Sequence, residues 1–453
     1  MNVLLINDSF PPQIDGVANA VCNYARILTQ RGNLAVASAP ADPRADDSVW
    51  PFPVVRYPSV ETNKQIGYRA GLPFAPETFR NLEAYPLDLI HSHCPVTATY
   101  LARTLRARRR MPLILTHHSK FDVEIYNTLK GKLVQQEAIR LLADNVAACD
   151  EIWAVSRGAG ENLKSMGVEC DYIVMPNGVD LPVGRAPQED IDRVTAGLDL
   201  PASVPLFLFV GRLRWYKGIR YILDALKILQ EEGFDCRCVL VGDSSERTEI
   251  TSYADSLGLT DRVFFPGVTQ SREDVRAWYT RADLFLFPST YDTNGLVVRE
   301  AAACSLASVL IEGSCAAEGI ADGQNGFLMK ENAGSLASVL RALLRHPDTM
   351  LRVGENACRE IYLSWEDAVR MAEERYGTVL ERYKSGGFSE RRAASDRLIG
   401  SMAAVIERYN KAVTSFMRSP RSFSELLDQA DAYAGRSNDL ITDILDHTEP
   451  PAE

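Results

Sequence analysis

The sequence predicts an α/β protein of two doubly wound domains in series, facing each other across a cleft and followed by a helical tail. Short apolar runs alternate with amphipathic helical segments, which is typical of parallel sheets built from βαβ units. A segment rich in proline, glycine and charge at residues 176–194 interrupts this alternation, and a second break falls at residues 384–387. The predicted divisions are therefore residues 1–182, residues 183–384 and the tail, residues 385–453.

Eleven apolar runs are predicted to be strands. In the first domain these are NVLLIND from Asn2, LAVASAP from Leu34, DLIHSHC from Asp88, LILTHHS from Leu113, EIWAVS from Glu151 and DYIVMP from Asp171. In the second they are PLFLFVG from Pro205, CRCVLVG from Cys236, RVFFPG from Arg262, DLFLFPS from Asp283 and SVLIEG from Ser308. Between the first two strands, Val17, Val21, Tyr24 and Leu28 follow helical spacing, and Gly32 ends the helix.

From Ala333 onward the pattern is almost entirely helical. In the tail, two apolar stripes at helical spacing run over residues 398–417 and 423–444. Ser422 and Glu425 form a capping box at the start of the second stripe. We therefore predict a helical hairpin, which either folds onto the body of the protein or mediates formation of a homo-oligomer.

The composition indicates a globular protein, with 46% hydrophobic and 24% charged residues. The formal net charge of −11 argues against nucleic acid as a partner. No apolar run approaches the ~18 residues that span a bilayer, and the chain begins directly with a strand pattern. Its nine cysteines lack metal-ligand spacing and predict reduced thiols, so we expect a cytoplasmic protein.

Two loops carry residues suited to binding an anion. The first passes through Gly16 into a helix, whose N-terminus offers backbone N–H groups and a positive dipole end. The second, GRLRWYKG, follows the first strand of the second domain, and its Arg212 and Lys217 can point at one phosphate group. Each loop on its own is equally compatible with an ordinary surface turn.

A third segment, PSTYDTNGLVVREAAA, connects a strand to a helix. Asp292 lies in its loop, and Thr293, Asn294 and Gly295 lie just before the helix, where N–H groups can meet phosphate or sugar oxygens. Glu300 falls among apolar neighbours and needs a polar partner, such as a ribose diol, if it is buried.

Taken together, these segments resemble those of the retaining glycosyltransferases of family 4, whose two Rossmann-like domains form the GT-B fold. The resemblance covers roughly residues 1–384 and includes PNGVD from Pro176 and GIADGQNGFL from Gly319. Its most specific part is a pair of acids with seven residues between them, of which Glu300 is the second. Here the first acid is Asp292, whereas the family usually has the longer Glu.

The resemblance implies a donor site for a nucleotide sugar. Gly16 would contact the donor diphosphate, Arg212 and Lys217 would neutralise the leaving diphosphate in place of a metal, and Glu300 would hold the ribose. The remaining donor-binding positions that it implies are Val268, Asp292, Thr293, Asn294, Gly295, Leu296 and Val297.

The resemblance also implies a catalytic histidine. In LILTHHSKFDVEIY, His118 lies just past a strand end and is expected to orient the donor sugar, whereas His117 is expected to be a framework residue. This segment, with Tyr126, resembles the corresponding segment in the branch of the family that transfers glucose to diacylglycerol and other lipids. We therefore expect a metal-independent hexosyltransferase that uses a nucleotide sugar, with UDP-glucose the expected donor and a membrane lipid the expected acceptor.

Contact with an anionic membrane surface would need basic and apolar residues together. We predict a peripheral protein at the inner face of the membrane, with a basic cluster in the first domain and residues 127–140 as a second basic amphipathic stretch. Two alternatives remain open, a catalytically weak nucleotide-sugar-binding subunit and a transferase with a soluble acceptor. The predicted cluster is Arg103, Arg106, Arg108, Arg109 and Arg110.

Overall fold

A computed structural model describes residues 1–387, except for residues 14, 63–68 and 270. The predicted hairpin in the tail lies outside these residues. The described chain contains two parallel sheets, each with helices on both faces. The α/β fold with two doubly wound domains is thus confirmed.

The first domain is built on seven parallel strands, with a short antiparallel hairpin beside them. In chain order the strands are β1 (Asn2–Ile6), β2 (Leu34–Pro40), β3 (Val54–Tyr57), the hairpin strands β4 (Ser59–Glu61) and β5 (Arg69–Gly71), then β6 (Leu89–Ser92), β7 (Leu113–His117), β8 (Glu151–Ala154) and β9 (Ile173–Val174). Their order across the sheet is β3-β2-β1-β6-β7-β8-β9. The central strands β6 and β7 are buried along their whole length because helices cover both faces of the sheet.

Six helices connect these strands: α1 (Gly16–Gln30), α2 (Pro76–Glu83), α3 (Thr97–Arg109), α4 (Phe121–Thr128), α5 (Lys132–Ala147) and α6 (Arg157–Ser165). Helix α1 buries Val21, Tyr24 and Leu28 against the sheet, as the helical spacing predicts.

The second domain begins with α7 (Gln188–Thr195) and is built on a six-stranded sheet. Its strands are β10 (Leu206–Val210), β11 (Arg237–Val241), β12 (Val263–Gly267), β13 (Leu284–Phe287), β14 (Ser308–Ile311) and β15 (Phe327–Met329), in the order β12-β11-β10-β13-β14-β15. Its helices are α8 (Ile219–Glu231), α9 (Arg247–Ser256), α10 (Arg272–Arg281), α11 (Leu296–Ala303), α12 (Ala333–Arg345) and α13 (Asp348–Glu360).

The last described helix, α14 (Trp365–Lys384), packs on the first domain rather than the second. Trp365 and Tyr376 are buried in one cluster with Tyr24 and Trp153 of the first domain. The predicted range 183–384 therefore needs correction, because the apolar face of α14 covers the first sheet. The helix spacing was visible in the sequence, but the surface that the helix covers was not.

The chain crosses back between the domains beside the predicted linker. There Val179 N–H donates to the backbone oxygen of Leu363 over 3.0 Å. A Cβ atom on Gly178 would overlap the backbone of Ser364 and Trp365, so the two crossing segments can approach only because residue 178 is glycine.

We expect Gly178→Ala to lower the free energy of unfolding by about 1–3 kcal/mol, the usual cost of overpacking. The matched control is Gly377→Ala in α14, where no atom lies within 4 Å of an added Cβ. Because alanine favours helix, the control should raise stability by about 0.5–1 kcal/mol. Urea unfolding of both variants checks this, and equal stability of the two would contradict the tight crossing.

Candidate active site

The cleft is formed where the carboxyl ends of the strands in the two sheets face each other. The hydroxyl of Thr293 in the second domain donates to the backbone oxygen of His118 in the first over 2.6 Å. Nearby, Lys120 Nζ donates to the backbone oxygen of Thr290 over 3.0 Å. Two residues predicted to belong to the site from distant parts of the sequence are thus in direct contact.

A second contact between the domains involves Glu318. Its two carboxylate oxygens accept from the backbone N–H groups of Arg157 and Gly158, at 2.7 and 2.6 Å. These groups lie at the N-terminus of α6, where a negative charge is favoured. The domains are therefore joined both at the loop that precedes α11 and at Glu318.

Lys217 is held by an acid on the second-domain side of the cleft. Its Nζ atom lies 2.6 Å from Asp292 Oδ1, and Ser289 Oγ donates to Asp292 Oδ2 over 2.5 Å. The Lys217 side chain is only 12% exposed, and its amine lies 5.6 Å from the centres of the Tyr216 and Tyr291 rings. Lys217 and Asp292, predicted from separate motifs, thus form one ion pair.

Other donor-binding predictions fall around this pair. Arg212 is exposed on the same loop as Lys217. Gly295 adopts a left-handed backbone, φ 60°, directly before α11. Among the described residues no side chain caps this helix, so the N–H groups of Leu296 and Val297 are available to a ligand.

Asn294 joins the loop to the first domain. In the orientation that satisfies its hydrogen bonds, its amide donates to Val155 O over 3.2 Å and accepts from Asn177 N over 3.1 Å. Its side chain is therefore used to hold the domains together. Val268, the position expected beside the base, is 66% exposed just after β12.

Glu300 is buried, but protein groups already satisfy its carboxylate. Arg272 donates to Oε1 over 2.8 Å and the Tyr279 hydroxyl donates to Oε2 over 3.1 Å. Burial, followed by the charge of Glu300, raises the Tyr279 pKa well above its ordinary value. The polar partner that a buried Glu300 was expected to need is therefore supplied by the protein, and the remaining lone pairs can still accept from a ligand.

The loop at Gly16 also differs from expectation. Asp15 caps α1, and its Oδ1 atom accepts from Val17 N and Ala18 N, both at 2.8 Å. The N–H groups proposed for a diphosphate therefore already have an anionic partner. Gly16 is exposed, and no described atom lies within 4 Å of the position of a Cβ.

His118 is buried at the end of β7 among three other buried histidines, His91, His93 and His117. Burial, followed by the nearby His117, lowers the His118 pKa to about 3. Burial likewise lowers the pKa of His117 to about 4 and the pKa values of His91 and His93 well below the usual range. His118 is therefore neutral near pH 7 and can exchange hydrogen bonds but supplies no positive charge.

The basic cluster predicted for the membrane is partly wrong. Arg103 donates to Asn145 over 2.8 Å and Arg106 pairs with Asp150 at 2.9 Å, and both arginines are buried against the α5 region. Buried guanidinium groups cannot contact lipid. The remaining predicted arginines, Arg108, Arg109 and Arg110, are exposed at the end of α3.

The second predicted basic stretch, together with the residues that flank it, exposes more apolar side chains than the arginine cluster on α3. Tyr126 is 54% exposed on α4, and the exposed fractions of Leu133, Val134 and Leu141 on α5 are 78%, 54% and 53%. Around them lie three exposed basic residues, Lys130, Lys132 and Arg140. We call these seven residues the α4–α5 surface.

Two further features hold for residues 1–387, apart from residues 14, 63–68 and 270. None of their helices is long and apolar enough to cross a membrane. Within the same residues, no three His, Cys, Asp or Glu side chains are grouped so that they could hold a metal ion.

Comparison with solved structures defines the class of fold. The chain is similar to the Anabaena protein HepE in complex with UDP-glucose, with a TM-score of 0.66 and 21% identity over 83% of this chain and 100% of that one. A sucrose-phosphate synthase from Thermosynechococcus elongatus has a TM-score of 0.65 and 20% identity over 84% of this chain and 100% of its own. The fold is GT-B, two Rossmann-like domains that face a cleft.

Sequence comparison then gives the family. The family described as Glycosyltransferase Family 4 matches residues 14–182, and the one described as Glycosyl transferases group 1 matches residues 190–360. A D-inositol 3-phosphate glycosyltransferase of Xylanimonas cellulosilytica is 30% identical over 65% of this chain and 73% of its own length. An alpha-monoglucosyldiacylglycerol synthase of Streptococcus pneumoniae is 24% identical over 77% and 79%, respectively. The chain belongs to glycosyltransferase family 4.

The four buried histidines predict a stability that falls in acid. Above about pH 6.5 they are neutral in both states, but below it the unfolded chain binds protons that the folded protein excludes. Each histidine then removes about 1.4 kcal/mol from the free energy of unfolding per pH unit, down to its folded pKa. Burial raises the pKa of Asp8, so in acid the folded protein binds a proton on Asp8 before the unfolded chain does. This one proton offsets at most one of the four that the histidines of the unfolded chain bind.

Urea unfolding at pH 7.5, 6.0 and 5.0 measures this loss. His117→Asn should reduce the pH dependence by one histidine's share, because burial lowers the pKa of His117 to about 4. A free energy of unfolding that stays constant between pH 7.5 and 5.0 would contradict burial of the cluster.

Proposed function

We propose that this protein is a retaining, metal-independent hexosyltransferase that moves glucose from UDP-glucose to a membrane lipid such as diacylglycerol. The observation that carries the proposal is the arrangement across the cleft. On one side lie Lys217, which pairs with Asp292, and the uncapped N-terminus of α11. On the other side lies neutral His118.

The donor would lie with its diphosphate against Lys217, Arg212 and the N–H groups of Leu296 and Val297. These groups supply positive charge and donors where negative charge develops on the leaving diphosphate. Glu300 would accept from the ribose with its remaining lone pairs. The similarity to a structure that contains UDP-glucose supports this donor class.

In the proposed reaction the acceptor hydroxyl attacks the anomeric carbon from the face that the diphosphate leaves. The C–O bond to the diphosphate breaks as the new glycosidic bond forms, and the acceptor proton passes to the departing phosphate oxygen. His118 orients a sugar hydroxyl and is not the base. This role fits a histidine whose pKa burial lowers to about 3.

The acceptor assignment rests on the α4–α5 surface and on relatives. Exposed leucine, valine and tyrosine side chains beside lysine and arginine suit an anionic bilayer surface. The similarity to an alpha-monoglucosyldiacylglycerol synthase supports a lipid acceptor, whereas the similarity to a D-inositol 3-phosphate glycosyltransferase supports a soluble one. All nine cysteines lie in the described part of the chain and none of them forms a disulfide there, which favours work at the cytoplasmic face of the membrane.

Lys217→Ala and Arg212→Ala should each lower turnover at least tenfold, because a charge-assisted phosphate contact contributes about 1.5–3 kcal/mol. Loss of Lys217 also leaves the Asp292 carboxylate unneutralised beside the diphosphate. The measurement is UDP release from UDP-glucose in the presence of diacylglycerol vesicles, with and without EDTA.

The matched control is Arg214→Ala, because Arg214 lies in the same loop but pairs with Glu246 at 2.9 Å. The control should keep most of the activity, and EDTA should leave the wild-type rate unchanged. Full activity of Lys217→Ala, or loss of activity in EDTA, would refute the metal-independent site. Tight binding of UDP-glucose without turnover would instead favour a donor-binding subunit.

Replacing Leu133 and Leu141 together by serine should weaken binding to anionic vesicles at least tenfold, because a buried leucine contributes about 1.5–3 kcal/mol. The control is Leu351→Ser in the second domain, which is 64% exposed and distant from the proposed surface in sequence. Vesicle sedimentation at low and high salt measures the effect. If the wild type ignores the vesicles at low salt, the soluble acceptor becomes the better hypothesis.

A further inference from the structure

Three histidine rings form a continuous column from α14 to the cleft. His91 Nδ1 lies 2.6 Å from the Tyr376 hydroxyl and His91 Nε2 lies 2.6 Å from Thr116 Oγ1. The centres of the His91 and His93 rings are 4.0 Å apart, and His93 Nδ1 lies 3.0 Å from His118 Nε2. Of these three histidines only His118 was predicted to belong to the site, and His93 is in direct contact with it.

The direction of the hydrogen bond between His93 and His118 follows from their neighbours. Both rings are buried and neutral, so each carries a single N–H. The Asn177 amide nitrogen, which can only donate, lies 3.4 Å from His118 Nδ1. His118 Nδ1 is therefore the acceptor and Nε2 carries the proton, which it donates to His93 Nδ1.

The opposite arrangement is less favourable. A proton on His118 Nδ1 would face the Asn177 amide donor, and His93 would then have to present a bare lone pair at Nε2. That atom is buried and has no hydrogen-bond partner among the residues that the structure describes. In the favoured arrangement it carries its proton beside the ring of Tyr24, whose centre is 5.3 Å away at an interplanar angle of 70°.

We propose that His93 is a positioning residue that fixes His118 in the form whose Nδ1 atom accepts a hydrogen bond from a substrate hydroxyl. The link from Asn177 is at the long end of the hydrogen-bond range, so a hydroxyl can replace it. The inference rests on the proposed transferase function for the identity of the ligand, but the proton arrangement is a property of the protein alone.

Two substitutions separate positioning from simple packing. His93→Asn retains an acceptor oxygen near the place of Nδ1, whereas His93→Leu fills a similar volume without one. The leucine variant should lose at least tenfold in kcat while the Kd for UDP changes less than twofold. The asparagine variant should keep at least a third of the wild-type kcat. Thermal unfolding shows whether both variants are folded.

A readout that needs no turnover is the ¹⁵N NMR spectrum of the His118 ring. We expect a protonated Nε2 and an unprotonated Nδ1 in the wild type and in His93→Asn, and a mixture in His93→Leu. Tyr376→Phe, which changes the far end of the column, should lower stability and leave these signals unchanged.

Two results would overturn the proposal. One is a wild-type His118 protonated at Nδ1, and the other is an equal loss of kcat in His93→Asn and His93→Leu. If the wild type transfers no sugar, the proposed function fails, and the ring signals alone then decide whether His93 sets the proton arrangement of His118.

Discussion

All strands of each large sheet run parallel, and the rest of the structure depends on this constraint. Parallel strands end at one edge, so the loops that follow them collect there. His93 follows β6, His118 follows β7 and the loop containing Thr293 follows β13. When the two edges face each other, residues far apart in sequence meet, and the hydrogen bond from Thr293 to His118 is the direct result.

Two of the cations in the cleft lie against acids of the protein itself. Lys217 lies against Asp292, and Arg272 lies against Glu300. A partly buried cation without an acid would be costly, so each acid stabilises its cation at the position where an anionic ligand can reach it. The same pairing reduces the net positive charge that the site offers. The uncapped N-terminus of α11 therefore matters, because its N–H groups are already in place.

Most strands were predictable because they depend on local patterns. Every predicted apolar run contains a strand, whereas β3, β15 and the β4–β5 hairpin were missed because their strands are only three or four residues long. Partners across the fold were not predictable. Nothing local distinguishes buried Arg106 from exposed Arg110, since the difference is the Asp150 carboxylate on a later strand connection. His93 was overlooked because its only signal is contact with His118.

Helix α14 makes the first domain discontinuous in sequence. The face of the first sheet that holds Trp153, together with Tyr24 of α1, is covered by residues that follow the whole second domain. During synthesis this apolar face leaves the ribosome long before its cover does, and the second sheet is complete in between. The first domain thus closes its core last, through contacts of very high sequence separation, which are slow to form. A nascent chain that stops at the linker carries an open aromatic surface, of the kind that chaperones bind.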